Sequence, residues 1–114
     1  MHTLLSPRVH GVLAYVTVAV FALAPALLGL DGLAATASYA LAAIHLAMTL
    51  ATAFPLGVGS AVPFRLHGTV ELVVGVALVA LGLALFDGAG QAFFIAMGAV
   101  ILAVWAATDY DGTG

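Results

Sequence analysis

The chain has 114 residues, of which 65% are hydrophobic and 6% are charged, and its net charge at pH 7 is −3. Soluble domains contain about 25% charged residues. A soluble domain of this size also leaves much of its surface exposed, so it could not bury so many apolar side chains. With two basic residues and no cysteine in the chain, nucleic-acid binding and cysteine-based chemistry are excluded. The composition therefore predicts an integral membrane protein, with one transmembrane domain over residues 1–114.

Four apolar segments follow one another along the chain. They run over about residues 9–30, 36–54, 64–86 and 91–107. Each is long enough for a membrane-spanning helix, which needs about 17–25 residues. Asp-Gly pairs end the first and third segments, and Pro55 ends the second, as is typical of helix breakers. We therefore predict an all-α, four-helix transmembrane bundle.

Three short motifs occur twice in the chain, about 56 residues apart. They are Arg-x-His-Gly (residues 8–11 and 65–68), Asp-Gly (31–32 and 87–88) and Ala-Thr-x-aromatic (51–54 and 107–110). This pattern predicts a duplication, with one two-helix repeat over about residues 7–55 and a second over about 64–110. Since each repeat crosses the membrane twice, the repeats would be parallel, related by a pseudo-twofold axis along the membrane normal.

Arg8 and Arg65 are the two basic residues, and each precedes an odd-numbered apolar segment. We expect both at the same membrane interface. The positive-inside rule then places the two termini and the central loop in the cytoplasm. The predicted protein is a multi-pass protein of the cell membrane. Its expected partners are the lipid bilayer and either further copies of the chain or other subunits of a membrane complex.

His10 and His67 occupy corresponding positions at the starts of the first and third segments. In one interpretation they lie at the level of the lipid headgroups and contact phosphate. In the other they face each other across the bundle and bind a cofactor. Haem and a single metal ion are both candidates for that cofactor, with His45 as a further ligand.

Glu71 is an ionisable residue within an apolar segment, and such residues are candidates for function. It follows His67 by four residues, so the two share a helix face. The pair could ligate a metal ion. Alternatively, His67 or Arg65 satisfies the Glu71 carboxylate at the membrane interface.

His45 is the second ionisable residue within an apolar segment, and its counterpart in the second repeat is Ile101. It either forms a hydrogen bond with Thr49 or Tyr39, or acts as a deep ligand or proton relay. Counted from the segment ends, His45 lies about 14 Å deep and Glu71 about 9 Å deep. The difference in depth leaves direct contact between them open.

The exit of the first segment, residues 24–29 with the sequence Ala-Pro-Ala-Leu-Leu-Gly, and the two Arg-x-His-Gly starts resemble the SPW-repeat family of small prokaryotic membrane proteins. Ala-Pro-Ala stands where that family has a Ser-Pro-Trp-type exit, and residues 81–83 of the second repeat contain no proline. The resemblance covers most of the chain. It implies a prokaryotic membrane bundle with no established activity, so no catalytic residue is carried over from it.

Three functions remain open from the sequence. The first is a non-enzymatic scaffold or a subunit of a membrane assembly. The second is a haem- or metal-binding redox module that uses His10, His67 and His45, and the third is a small carrier or proton pathway that uses His45 and Glu71. Since the chain contains no P-loop, serine-triad or HExxH signature, we expect a protein that is not an enzyme.

Overall fold

A computed structural model of the protein describes residues 4–111. Four helices make up most of this range: α1 (Pro7–Leu28), α2 (Gly32–Ala51), α3 (Phe64–Leu85) and α4 (Gly88–Ala107). The predicted all-α four-helix bundle is confirmed. All four helices are long and apolar enough to cross a membrane, which fits a multi-pass membrane protein.

Local sequence signals set both ends of α1. The Ser6 hydroxyl accepts a hydrogen bond from the Val9 N–H at 3.3 Å and so caps the helix. Pro7 occupies the first helical position, where a missing N–H costs nothing. At the other end Gly29 adopts a left-handed backbone conformation, with φ of 66°, which glycine tolerates best.

The segments that flank the helices pair with each other at one end of the bundle. After α2 the chain forms strand β1 (Thr52–Ala53), which pairs in parallel with strand β2 (Val62–Pro63) just before α3. An isolated parallel bridge likewise joins Leu5, before α1, to Thr108, after α4. Because Thr52 is extended and paired, α2 ends earlier than the predicted limit at residue 54. We call the end of the bundle at which these flanking segments pair the strand end.

α1 packs mainly against α2, and α3 packs mainly against α4. Away from the strand end, side chains of all four helices form an apolar core: Phe21, Ala24, Ala42, Leu78, Phe93, Phe94, Met97 and Ile101. The rings of Phe21 and Phe93 meet edge to face, with centroids 5.7 Å apart, and join the two helical hairpins. Outward leucines such as Leu27 and Leu33 are largely exposed, as expected of a surface that contacts lipid.

α3 and α4 approach each other closely at Gly75 and Gly98. A Cβ atom on Gly98 would lie 2.7 Å from the Gly75 carbonyl oxygen and 3.0 Å from the Val79 nitrogen. Both neighbours are backbone atoms, so the helices would have to separate. Small residues allow this kind of backbone contact between membrane helices.

We expect Gly98→Ala to destabilise the protein by about 1–3 kcal/mol, since overpacking forces the backbone to shift. Thermal unfolding in detergent, followed by circular dichroism, measures the effect. Gly90→Ala in the same helix is the matched control, because its Cβ would meet nothing closer than the Ala34 Cβ at 3.5 Å. Equal melting temperatures for the two variants would contradict the close approach.

Candidate functional site

Four ionisable residues that the sequence singles out come together at the strand end. His10 lies on α1, His45 on α2, and His67 and Glu71 one turn apart on α3. Glu71 is central, since its Oε1 lies 2.7 Å from His10 Nε2 and 3.4 Å from His67 Nε2, and its Oε2 lies 3.7 Å from His45 Nε2. We call these four residues the His–Glu cluster.

The His–Glu cluster is buried. His10 and His67 are both 0% exposed, and their rings meet edge to face with centroids 5.2 Å apart. The interpretation that these histidines contact lipid headgroups is therefore wrong. The physical reason is that the paired flanking segments fold over the helix starts and cover them. The two histidines face each other across the bundle, which is the geometric part of the alternative interpretation.

His45 and Glu71 lie at the same depth, contrary to the expectation from the sequence. α2 ends at Ala51, so His45 lies six residues from the helix end, or about 9 Å. Glu71 lies seven residues after the start of α3 at Phe64, or about 10 Å. The depth predicted for His45 was too large because the sequence places the end of the second helix too late.

Two threonine hydroxyls orient two of the histidines. His10 Nδ1 lies 2.8 Å from Thr108 Oγ1, and His67 Nδ1 lies 2.8 Å from Thr52 Oγ1. Each hydroxyl donates its single proton, at 2.6 Å, to the backbone carbonyl four residues earlier. Each must therefore accept a hydrogen bond from the histidine Nδ1–H. In the neutral form of both histidines, the Nε2 lone pair then points into the cluster.

The inner nitrogens of the cluster are unpaired. Within residues 4–111, the Nε2 atoms of His10, His45 and His67 make no hydrogen bond of acceptable geometry, although each lies near a Glu71 oxygen. Lone pairs of imidazole and carboxylate repel each other at such distances, and buried polar atoms normally have partners. A proton on one of these nitrogens, or a metal ion among them, would remove this repulsion. One ligand atom from each of His10, His67 and Glu71 falls within 4.8 Å of the other two.

Three aromatic rings, those of Phe54, Phe64 and Tyr110, cover the cluster at the strand end, and we call them the aromatic cap. Phe64 stacks on Phe54 with centroids 5.2 Å apart and lies 4.8 Å from the Tyr110 centroid. The rings of His10 and Phe64 meet edge to face at 5.2 Å. The cap therefore separates the cluster from the loops beyond the helix ends.

Tyr110 also contacts the cluster through its hydroxyl, which donates a hydrogen bond to Glu71 Oε1 at 3.5 Å. Burial, followed by the charge of Glu71, raises the pKa of the Tyr110 phenol above its ordinary value. The phenol is therefore a neutral donor to the carboxylate at physiological pH.

The glycines of the two Arg-x-His-Gly motifs make room for the aromatic cap. A Cβ atom on Gly11 would lie 2.7 Å from Phe54 Cε2, and one on Gly68 would lie 2.6 Å from Tyr110 Cζ. Each motif thus supplies a histidine to the cluster and a glycine beneath an aromatic ring. This explains why the histidine and the glycine are adjacent in both motifs.

Arg65 does not contact Glu71, so that half of the alternative is wrong, whereas His67 does lie beside the carboxylate, with its Nε2 3.4 Å from Glu71 Oε1. The Arg65 Nε donates to Asp111 Oδ1 at 2.8 Å, and both side chains are exposed. Arg8 is also exposed. The guanidinium of Arg65 therefore lies outside the cluster, held by the segment that follows α4.

The hydrogen-bond partners predicted for His45 are also wrong. The Thr49 hydroxyl has no partner within the part of the chain that the structure describes, and Tyr39 is 52% exposed. Instead, His45 Nε2 lies 3.7 Å from Glu71 Oε2. The early end of α2 places the two residues at the same depth in the bundle.

Thr52 and Thr108 belong to the site but were not predicted as site residues. The signal for them is the repeated Ala-Thr-x-aromatic motif, which also supplies Phe54 and Tyr110 to the aromatic cap. The threonine of each motif contacts the histidine of the other half of the chain. Sequence spacing does not indicate such a contact.

Comparisons with known proteins leave the site to be interpreted from its own geometry. The chain has no significant match among protein-family models, curated proteins or solved structures.

We expect Thr108→Val to release His10 from its fixed tautomer and to destabilise the protein by about 1–3 kcal/mol, because a buried N–H loses its acceptor. Nitrogen chemical shifts of labelled histidines, recorded by NMR in micelles, report the tautomer. Thr108→Ser should restore it, since it keeps the hydroxyl.

Thr17→Val is the matched control for this experiment, because the Thr17 hydroxyl also donates to a carbonyl of the preceding turn, that of Leu13, at 2.8 Å. Unchanged histidine shifts in Thr108→Val would show that the hydroxyl does not fix the ring.

Proposed function

We propose that the protein is an integral membrane protein that binds one divalent transition-metal ion at the His–Glu cluster. The observation that carries this proposal is the convergence of three unpaired Nε2 atoms on one buried carboxylate. The threonine hydroxyls add support. Histidines that ligate a metal ion usually donate their other ring N–H to an oxygen, which fixes the ring for coordination.

Two of the three separations between a histidine Nε2 and a Glu71 oxygen are close to the spacing that a small ion needs. Ligands of a tetrahedral ion, each about 2.0–2.2 Å from the metal, lie roughly 3.3–3.6 Å apart. The separations of His67 and His45 from Glu71, 3.4 Å and 3.7 Å, are close to this range, and His10 at 2.7 Å needs to move outward. Imidazole and carboxylate ligands without sulfur suit zinc, iron, copper, nickel and manganese ions.

A single ion fits the site better than haem does. Axial ligation of haem would require the macrocycle to pass between His10 and His67. Glu71 Oε1 lies within hydrogen-bonding range of His10 Nε2 and 3.4 Å from His67 Nε2, so it fills the space where the porphyrin iron would be. The carboxylate therefore favours a metal ion held directly by side chains.

The scaffold and proton-pathway functions receive less support. A buried carboxylate among three imidazoles is costly in an apolar environment, and a purely structural bundle has no need of it. A proton pathway needs polar groups on both sides of His45 and Glu71. Beyond the cluster, the described part of the bundle is filled by the apolar core.

We also infer that the chain arose by duplication, as the repeated motifs predict. Three pairs of contacts support this: the Leu5–Thr108 and Val62–Thr52 backbone pairings, the two crossed histidine–threonine contacts, and the two glycine–aromatic contacts.

The SPW-repeat resemblance, the homo-oligomer or membrane complex, and the cell-membrane location with cytoplasmic termini remain predictions.

We expect the protein purified in detergent to bind one Zn²⁺ or Co²⁺ ion per chain, measured by calorimetric titration after chelation. Removing a central ligand, as in His10→Ala, His67→Ala or Glu71→Gln, should lower the affinity by more than about 100-fold. His2 is not one of the four cluster residues and lies outside the described residues. His2→Ala is the control that tells metal binding at the cluster from non-specific binding to a histidine side chain. Binding that survives Glu71→Gln, or fails in the unaltered chain, would refute the metal site.

A further inference from the structure

Helices α1 and α3 supply every atom of the most compact ligand set in the His–Glu cluster. One nitrogen of His10, one nitrogen of His67 and one oxygen of Glu71 lie within 4.8 Å of one another. His10 belongs to α1, and His67 and Glu71 belong to α3. Helix α2 carries His45 but contributes no atom to this set, which we call the ligand triad.

His45 lies beside the ligand triad without belonging to it. Its Nε2 is 3.7 Å from Glu71 Oε2, whereas His10 and His67 both approach the other carboxylate oxygen, Oε1. Two ligands that are each about 2.0–2.2 Å from one ion are at most about 4.4 Å apart, and His45 does not join the set even at a limit of 4.8 Å. An ion held by the triad would therefore have His45 as a neighbour rather than as a fourth ligand.

Helix α2 presents two buried acceptor atoms without partners within residues 4–111. They are His45 Nε2 and Thr49 Oγ1, and the two residues are 7% and 0% exposed. Being four residues apart, they share one face of α2. On either side of Thr49 along this face, His45 lies near Glu71 and Thr52 contacts His67, so the face is turned toward the cluster.

Buried polar atoms normally have partners, and a buried water typically makes about three hydrogen bonds to such groups. Helix α4 offers nothing equivalent, since Ile101 and Trp105 are the counterparts of His45 and Thr49 in the predicted repeat. The isoleucine has no polar side-chain atom, and the tryptophan nitrogen is only a donor. The acceptors therefore lie on the α2 side of the ligand triad alone.

We propose that the metal ion keeps one coordination position open toward α2, and that a water molecule bound there donates hydrogen bonds to His45 Nε2 and Thr49 Oγ1. This inference rests on the metal site proposed above. Structural zinc sites are closed by four protein ligands, whereas sites that act on a small molecule have three and keep the fourth position for water or substrate. The His–Glu cluster is thus an open site for a ligand of the size of water, and His45 is a positioning residue beside it.

The test counts the ligands of Cu²⁺ bound to the protein in detergent, using a chain that carries His2→Ala to remove a histidine outside the cluster. Pulsed electron paramagnetic resonance reports the number of coordinated imidazoles and, in D₂O, the deuterons of a coordinated water. We expect two imidazoles and a coordinated D₂O. In His45→Ala the imidazole count should stay at two, and the Cu²⁺ affinity should fall by less than the roughly 100-fold loss expected for His67→Ala.

His45→Gln is a second variant, which fills the position with a polar side chain and should also leave two imidazoles. Thr49→Val removes one acceptor of the water, so it should change the deuteron coupling. Thr17→Val is its matched control and should leave that coupling unchanged, because the Thr17 hydroxyl already donates to the Leu13 carbonyl.

Three coordinated imidazoles, one of which is lost in His45→Ala, would overturn the open position and leave the metal site standing. Two imidazoles without a coordinated D₂O, or equal deuteron couplings in the two threonine variants, would also overturn the proposed water site alone. Cu²⁺ without any coordinated imidazole would overturn the metal site together with it.

Discussion

The buried carboxylate of Glu71 is the constraint on which the strand end of the bundle depends. An ionised group within an apolar helix is tolerated only when nearby groups compensate its charge. Three imidazoles from three helices surround this carboxylate at distances from 2.7 to 3.7 Å, and the cation proposed to lie among them would supply the compensating charge. The early end of α2, the paired flanking segments and the aromatic cap all serve to bring those rings inward and cover them.

The apolar segments predict the helices well because the membrane imposes a minimum length that the sequence meets four times. Ionisable residues within those segments likewise identify Glu71 and His45. Burial of His10 and His67 could not be predicted in the same way. It depends on Leu5, Thr52 and Val62 folding across the helix starts, and these are backbone pairings between distant parts of the chain that leave no local pattern.

The two halves of the chain contribute unequally to the site. Each half supplies a histidine, a threonine and an aromatic ring, so the shared motifs build a frame with two fixed imidazoles. His45 and Glu71 occur in one half each and have Ile101 and Ala14 as counterparts. The frame thus places two fixed imidazoles at the centre, and under the proposed function the residues private to each half, His45 and Glu71, turn one side of it into a cation site.

X-ray absorption at the metal edge of the Zn²⁺-loaded protein tests the central claim most directly, since it reports the atoms around the ion. The coordination described here predicts nitrogen and oxygen neighbours at about 2.0–2.2 Å, together with the outer-shell scattering of at least two imidazole rings. Glu71→Gln should remove this signature. A spectrum without imidazole scattering, such as that of an ion surrounded only by water oxygens, would contradict the assignment of the His–Glu cluster as a metal site.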